Sequence, residues 1–130
     1  MFARFSDASR RVLRAAEQEC RNHNHYYVGV EHLLLALLEA GDPIIETKLG
    51  EAGIDVRGAH AELRRALGTG EDRMWEGILL TPRMRKVVTI AEEKTAGGAQ
   101  IDPADLFDAI QTEGGGLAVE VLKRAARPAS

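Results

Sequence analysis

Glu31 and His32 stand directly ahead of an unbroken apolar run, Leu33-Leu34-Leu35-Ala36-Leu37-Leu38. A carboxylate in the first turn of a helix offsets the positive end of the macrodipole, so Glu31 has a structural use there. His23, His25 and His32 with Cys20 are the residues that could hold a metal. Their order, H-x-H followed by E-H, does not fit the H-E-x-x-H spacing that puts two imidazoles on one helix face. Hydrogen bonds from His25 and His32 to backbone around the 23–27 connector account for them better. Cys20 lies on an apolar helix stripe without a cationic neighbourhood, so it reads as a small hydrophobe, not a nucleophile. No G-x-S-x-G elbow and no G-x-x-x-x-G-K-[ST] loop occurs, so neither hydrolysis nor a nucleotide motor is supported. Arg10-Arg11 and Arg83, Arg85, Lys86 are short basic clusters that read as solvated helix faces.

The elements that carry these residues are helical. Ser6 can cap a first helix, with Asp7 in its first turn and Ala8, Val12, Ala15, Ala16 and Cys20 on one stripe. Residues 31–38 form a second helix, apolar nearly all round and therefore central. Asp42-Pro43 opens a third helix that buries Ile44, Ile45 and Leu49 and closes near Gly53. Asp55 caps a fourth, with Val56, Ala59, Leu63, Ala66 and Leu67 inward, and Gly68 stops it. Thr81-Pro82 opens a fifth helix that Gly97-Gly98 ends. Asp102-Pro103 opens a sixth, with Leu106, Phe107, Ala109 and Ile110 inward. Leu117, Val121 and Leu122 belong to a seventh, ended by Pro128. No segment shows the period-two alternation of a strand.

The chain is written twice. Leu80-Thr81-Pro82-Arg83 restarts the pattern of Phe5-Ser6-Asp7-Ala8 75 residues later. From Leu33 onward the offset is 73, placing Leu33, Ala36, Leu37 and Leu49 on Leu106, Ala109, Ile110 and Leu122. Such a repeat dictates an all-α pseudo-twofold tandem of four-helix units. The first unit spans 1–67, a charged Gly-rich linker 68–79, and an incomplete second unit 80–130. Pro128 aligns with Asp55, so the fourth helix of the second unit is missing and about seven helices are expected. The surface between the units is a natural binding place. Helix-leading apolar residues Phe2, Phe5, Leu80 and Met84 could line it if the first and fifth helices meet. For Phe5 and Leu80 a local staple onto their own helices is the simpler reading. Phe2 and Trp75 lie outside the helices and are the better candidates for exposed contacts.

With 17 basic and 20 acidic residues the net charge is −3, which argues against a nucleic-acid partner. One cysteine among 130 residues precludes an internal disulfide and suits a reducing, cytoplasmic setting. No apolar run approaches the roughly 18–20 residues of a membrane span, so no membrane partner is expected. The start of the chain lacks a signal-peptide pattern.

Met1-Phe2-Ala3-Arg4-Phe5-Ser6, then Tyr27-Val28-Gly29-Val30-Glu31-His32-Leu33-Leu34-Leu35-Ala36-Leu37-Leu38, then Leu80-Thr81-Pro82-Arg83, resemble the Clp amino-terminal repeat domain. The opening is most similar to the ClpC type. The resemblance covers nearly the whole chain, but Asp102-Pro103-Ala104-Asp105-Leu106 stands where the family repeats G-T-E-H-L. It implies a non-catalytic module, needing no cofactor, that binds client and adaptor proteins for a Clp-type AAA+ unfoldase ring in protein quality control. The motor would lie outside this chain, in cis or in trans. The resemblance further implies that Glu31 accepts the guanidinium of a client arginine, with an attached phosphate at the amide-rich helix start near Ser6. Phe2, Ser6, Glu31, Leu80 and Thr81 are the contacts expected on that basis. The eroded second copy suggests an alternative: a stand-alone accessory protein that modulates a Clp machine or sequesters clients. A small metal-binding protein using the histidines, or a sensor module fused to another effector, are further alternatives.

Overall fold

The computed structural model describes residues 2–25, 27–68, 79–95 and 97–126. Trp75 and Pro128 lie outside the described residues. The fold is all-α, with seven helices among the described residues: α1 (Asp7–Asn22), α2 (Val30–Ala40), α3 (Pro43–Glu51), α4 (Val56–Leu67), α5 (Pro82–Lys94), α6 (Pro103–Glu113) and α7 (Gly116–Ala125). The local signals explain most of the boundaries. Ser6, Asp42, Asp55 and Thr81 each accept a first-turn backbone amide through their side chain. Gly41 and Gly114 end α2 and α6 in the left-handed conformation that glycine adopts without steric cost.

Helix α2 is the central element. Every residue from His32 to Leu38 is buried, and α2 packs on α1, α4, α7, α6 and α5. Its counterpart α6 buries Leu106, Phe107, Ala109 and Ile110. The third helix of each half packs on the second helix of the other, α3 on α6 and α7 on α2. The two halves therefore share one continuous core.

The halves also exchange backbone, which the sequence did not foretell. Two-residue strands β1 (Tyr27–Val28) and β2 (Leu79–Leu80) pair in parallel, with Val28 opposite Leu80. A second parallel bridge joins Phe5 to Ile101. These contacts are repeat equivalents of one another. Thr81 N donates to Val28 O at 3.1 Å, and Ser6 N donates to Ile101 O at 3.0 Å. The start of α5 thus lies against the connector of the first half, and the start of α1 against the connector of the second. Phe5 and Leu80 make this cross-half backbone contact.

Three further expectations fail for identifiable reasons. Ile44 is 56% exposed, because α3 turns only Ile45 and Leu49 into the core. Ala66 is exposed, since α4 buries only the Ala59–Leu63 line. Helix α5 ends at Lys94, ahead of Gly97. There the Arg4 guanidinium reaches across to the Glu92, Thr95 and Ala99 carbonyls and satisfies the helix's carboxyl end.

Phe107 is fully buried on α6, in the core that the two halves share. Phe107→Ala is expected to lower stability by about 3–5 kcal/mol, read as a lower midpoint in urea unfolding. Asp55→Ala, which removes only the α4 cap, should cost about 1 kcal/mol.

Candidate functional site

The site is built where α2 and α5 begin. Gly29 precedes α2 in extended backbone, and Glu31 sits in the first turn. A methyl carbon placed on Gly29 would lie 2.6 Å from Glu31 Oε2 and 3.6 Å from Thr81 Cγ2. Glu31 and Thr81 therefore face one small space, and glycine at 29 keeps it open. Leu80 pairs with Val28 beside it and is half-buried against the core. Thr81 Oγ1 accepts the Met84 amide at 3.1 Å. No basic side chain among the described residues pairs with Glu31, so its carboxylate is available.

Ser6 and Phe2 belong to the twin location. Ser6 is buried, and its hydroxyl is bound to Ser9, accepting from Ser9 N at 3.1 Å. Ser9 Oγ in turn donates to Ile101 O at 2.6 Å. Phe2 is half-buried, edge-on to Phe5 with ring centroids 5.1 Å apart. In the second half Asp105 takes the place of His32, its Oδ2 accepting the Asp102 amide at 2.8 Å. The fold thus brings Glu31, Leu80 and Thr81 together and sets Phe2 and Ser6 beside Ile101.

Two exposed apolar residues escaped the sequence reading. Tyr27 and Leu79 stand opposite each other in the β1–β2 ladder, and both are about half exposed. Tyr27 fell in a connector and Leu79 in the linker, and only the strand pairing makes them neighbours. They precede Val28 and Leu80 in the two strands that lead to the starts of α2 and α5.

The histidines serve the fold. His32 Nδ1 accepts the Gly29 amide at 2.9 Å, and His32 Nε2 lies 2.8 Å from His25 Nδ1. His23 Nδ1 meets the Gly68 carbonyl at 2.8 Å. No group of three or more metal-ligating side chains occurs among the described residues. On the other side of α2, Glu39 joins His60 at 2.7 Å and Arg64 at 3.2 Å. Burial raises the Glu39 carboxyl, but these hydrogen bonds outweigh it and hold it below the usual range.

With this geometry in view, comparison with known proteins is informative. Residues 4–125 match the family model described as the Clp repeat N-terminal domain. The chain belongs to this family. It is 31% identical over 125 residues to the chloroplastic chaperone protein ClpC of Pisum sativum, covering 95% of this chain and 14% of that relative. It is 30% identical over 128 residues to the ClpA homolog of Guillardia theta described as an ATP-dependent Clp protease ATP-binding subunit, covering 97% of this chain and 16% of the relative. The chain therefore spans only a small part of these relatives. The N-terminal domain of the caseinolytic protease associated chaperone ClpD from Arabidopsis thaliana has the same fold, with a TM-score of 0.73 at 22% identity, covering 95% of this chain and 86% of that one. The Hsp104 N-terminal domain of Candida albicans aligns with a TM-score of 0.70 at 13% identity, over 93% and 87% of the two chains. No helix among the described residues of this Clp N-domain is long and apolar enough to cross a membrane.

Cys20 is fully buried on α1, and its thiol donates to His25 O at 3.0 Å. Burial pushes the thiol up to about 11. Cys20 is expected to resist a disulfide reagent in the native domain at neutral pH. It should react at the rate of global unfolding, which thiol labelling across a urea series measures.

Proposed function

We propose that this Clp N-domain binds client and adaptor proteins for a Clp-type AAA+ unfoldase, and that an arginine side chain of the client is read at Glu31. The observation that carries the reading is the Glu31 carboxylate, which has no basic partner among the described residues and shares with Thr81 the space that Gly29 leaves open, next to the strand pair whose Tyr27 and Leu79 are exposed. A carboxylate takes a guanidinium through two parallel hydrogen bonds. An apolar pair beside it suits the extended, partly apolar segments that an unfoldase receives. The relatives named as chaperones and as ATP-binding subunits of a protease support the setting. The ring would be joined to this domain or would dock on it.

Phosphoarginine is the sharper form of the same proposal. The phosphate would meet backbone amides at a helix start. Of the two helix starts offered, α5 beside Thr81 is adjacent to Glu31. Both cap hydroxyls accept a helix amide, but the buried Ser6 hydroxyl also donates to Ser9 Oγ, whereas Thr81 is half-buried. Leu80 and Thr81 are the contacts we assign to this location. Phe2 and Ser6 form a second, weaker contact, because Ala104 stands where the first half has Glu31.

Titration of the domain with phosphoarginine and with arginine tests both forms. Phosphoarginine should bind more tightly than arginine, and Glu31→Ala should weaken it about 10- to 100-fold, as expected for a charge-assisted pair. Negligible binding of either compound, unaltered by Glu31→Ala, would sink the reading. Gly29→Ala offers an independent check. Its methyl should displace only the flexible end of Glu31, so binding should fall while the unfolding midpoint stays nearly fixed.

A further inference from the structure

His32 and His25 are joined ring to ring in a hydrogen-bonded chain that ends on the Gly29 amide, and His23 stacks on His25. An amide N–H only donates, so His32 Nδ1 must accept from Gly29 and His32 carries its hydrogen on Nε2. That hydrogen is donated to His25 Nδ1, so His25 is neutral as well. A carbonyl only accepts, so His23 Nδ1 carries a hydrogen toward Gly68 O. His23 Nε2 lies 3.5 Å from Glu19 Oε2, a buried carboxylate oxygen with no hydrogen-bond partner among the described residues. A neutral His23 would turn a lone pair toward that oxygen, whereas an imidazolium turns an N–H. The His23 and His25 rings stack with centroids 5.8 Å apart, so a charge on one disfavours a charge on the other.

We propose that His25 and His32, with His23 stacked on His25, form an acid-sensitive latch on the amino end of α2, complete while both hydrogen-bonded rings are neutral and broken when one of them is protonated. The proton must enter at His25 Nδ1 or His32 Nδ1. At His25 it sets two donors face to face; at His32 it expels the Gly29 amide and frees the backbone next to Glu31.

Glu19 on α1 faces His23 and is held by Arg64 of α4 at 2.9 Å. Arg64 also reaches Glu39 of α2, which His60 of α4 shares. Glu31 is the acid that acts on His25, and it opposes the burial and the His23 charge that lower it. Burial, then the charges of His25 and His23, push His32 down to about 4. An unfolded histidine binds its proton near 6.5. Folded His32 resists protonation in the window between these values. The unfolded chain then binds more protons, and stability falls as pH drops from about 6.5 to about 4.

Ring-nitrogen NMR on histidine-labelled protein, from about pH 7.5 to about pH 3.5, tests the latch. At neutral pH His32 should show the Nε2–H tautomer and His25 an unprotonated Nδ1. In acid, His32 should titrate below the ordinary histidine value, and the Gly29 amide should lose exchange protection in the same step. Independent titration of His25 and His32 near the ordinary histidine value, or a neutral His32 protonated on Nδ1, would overturn the proposal. His32→Asn keeps an acceptor for the Gly29 amide and removes the titrating ring. Between neutral pH and about pH 4 the folding equilibrium of the native protein should fall on the order of a hundredfold more than that of His32→Asn. Equal pH dependence of the two proteins would also overturn it.

Discussion

Two short parallel backbone contacts decide where the rest of this chain sits. Val28 lies against Leu80, and Phe5 lies against Ile101. Each half gives its helix-opening residue to the connector of the other. The Val28 and Ile101 carbonyls are buried, and the amides that satisfy them, Thr81 and Ser6, come from across the repeat. A half on its own would leave those carbonyls without partners, a cost of the same order as a lost hydrogen bond. The shared core points the same way, because each third helix packs on the second helix of the opposite half. The repeat is therefore two copies in sequence and one cooperative body in space.

This arrangement explains what could be read from the residues and what could not. Helix starts were legible because their causes are local. Ser6, Asp42, Asp55 and Thr81 sit next to the amides they accept. The pseudo-twofold was legible because the repeat is explicit. The strands were not, since two residues cannot show an alternation. The end of α5 was not, because Arg4 supplies the cap from the other end of the domain. The pairing of Glu31 with Thr81 follows from the exchange and so was hidden with it. The expected meeting of α1 and α5 gave way to α1 against Ile101 and α5 against Val28.

The two halves have diverged in a selective way. His32 and Asp105 hold the same position in the repeat and perform the same task, accepting the amide of the residue three before them. An aspartate can do this as a carboxylate facing solvent. A histidine can do it only as a neutral ring, and His32 is buried where Asp105 is half-exposed. The substitution kept the cap and changed its chemistry, drawing His25 into the same hydrogen-bonded chain, with His23 stacked on it. The histidines that suggest a metal site in the sequence are thus explained by a helix-start requirement that the second half meets with an acid.

Glu31 and Ala104 diverge under a different rule. Nothing in the packing requires a carboxylate at Glu31, since no basic partner among the described residues holds it. The second half folds with alanine there and keeps the same exchange and the same cap. Positions that the fold needs have therefore been kept in kind across the repeat, while this position has not. A residue whose structural use is a first-turn charge that the second half does without, kept open by a glycine and placed at the junction of two helix starts, is where selection for a ligand would act. If so, the domain has one principal reading site and not a symmetric pair. The Asp105 side would then contribute surface, and the Glu31 side discrimination. That asymmetry is what separates a binding role in this Clp N-domain from a purely structural account of the same residues.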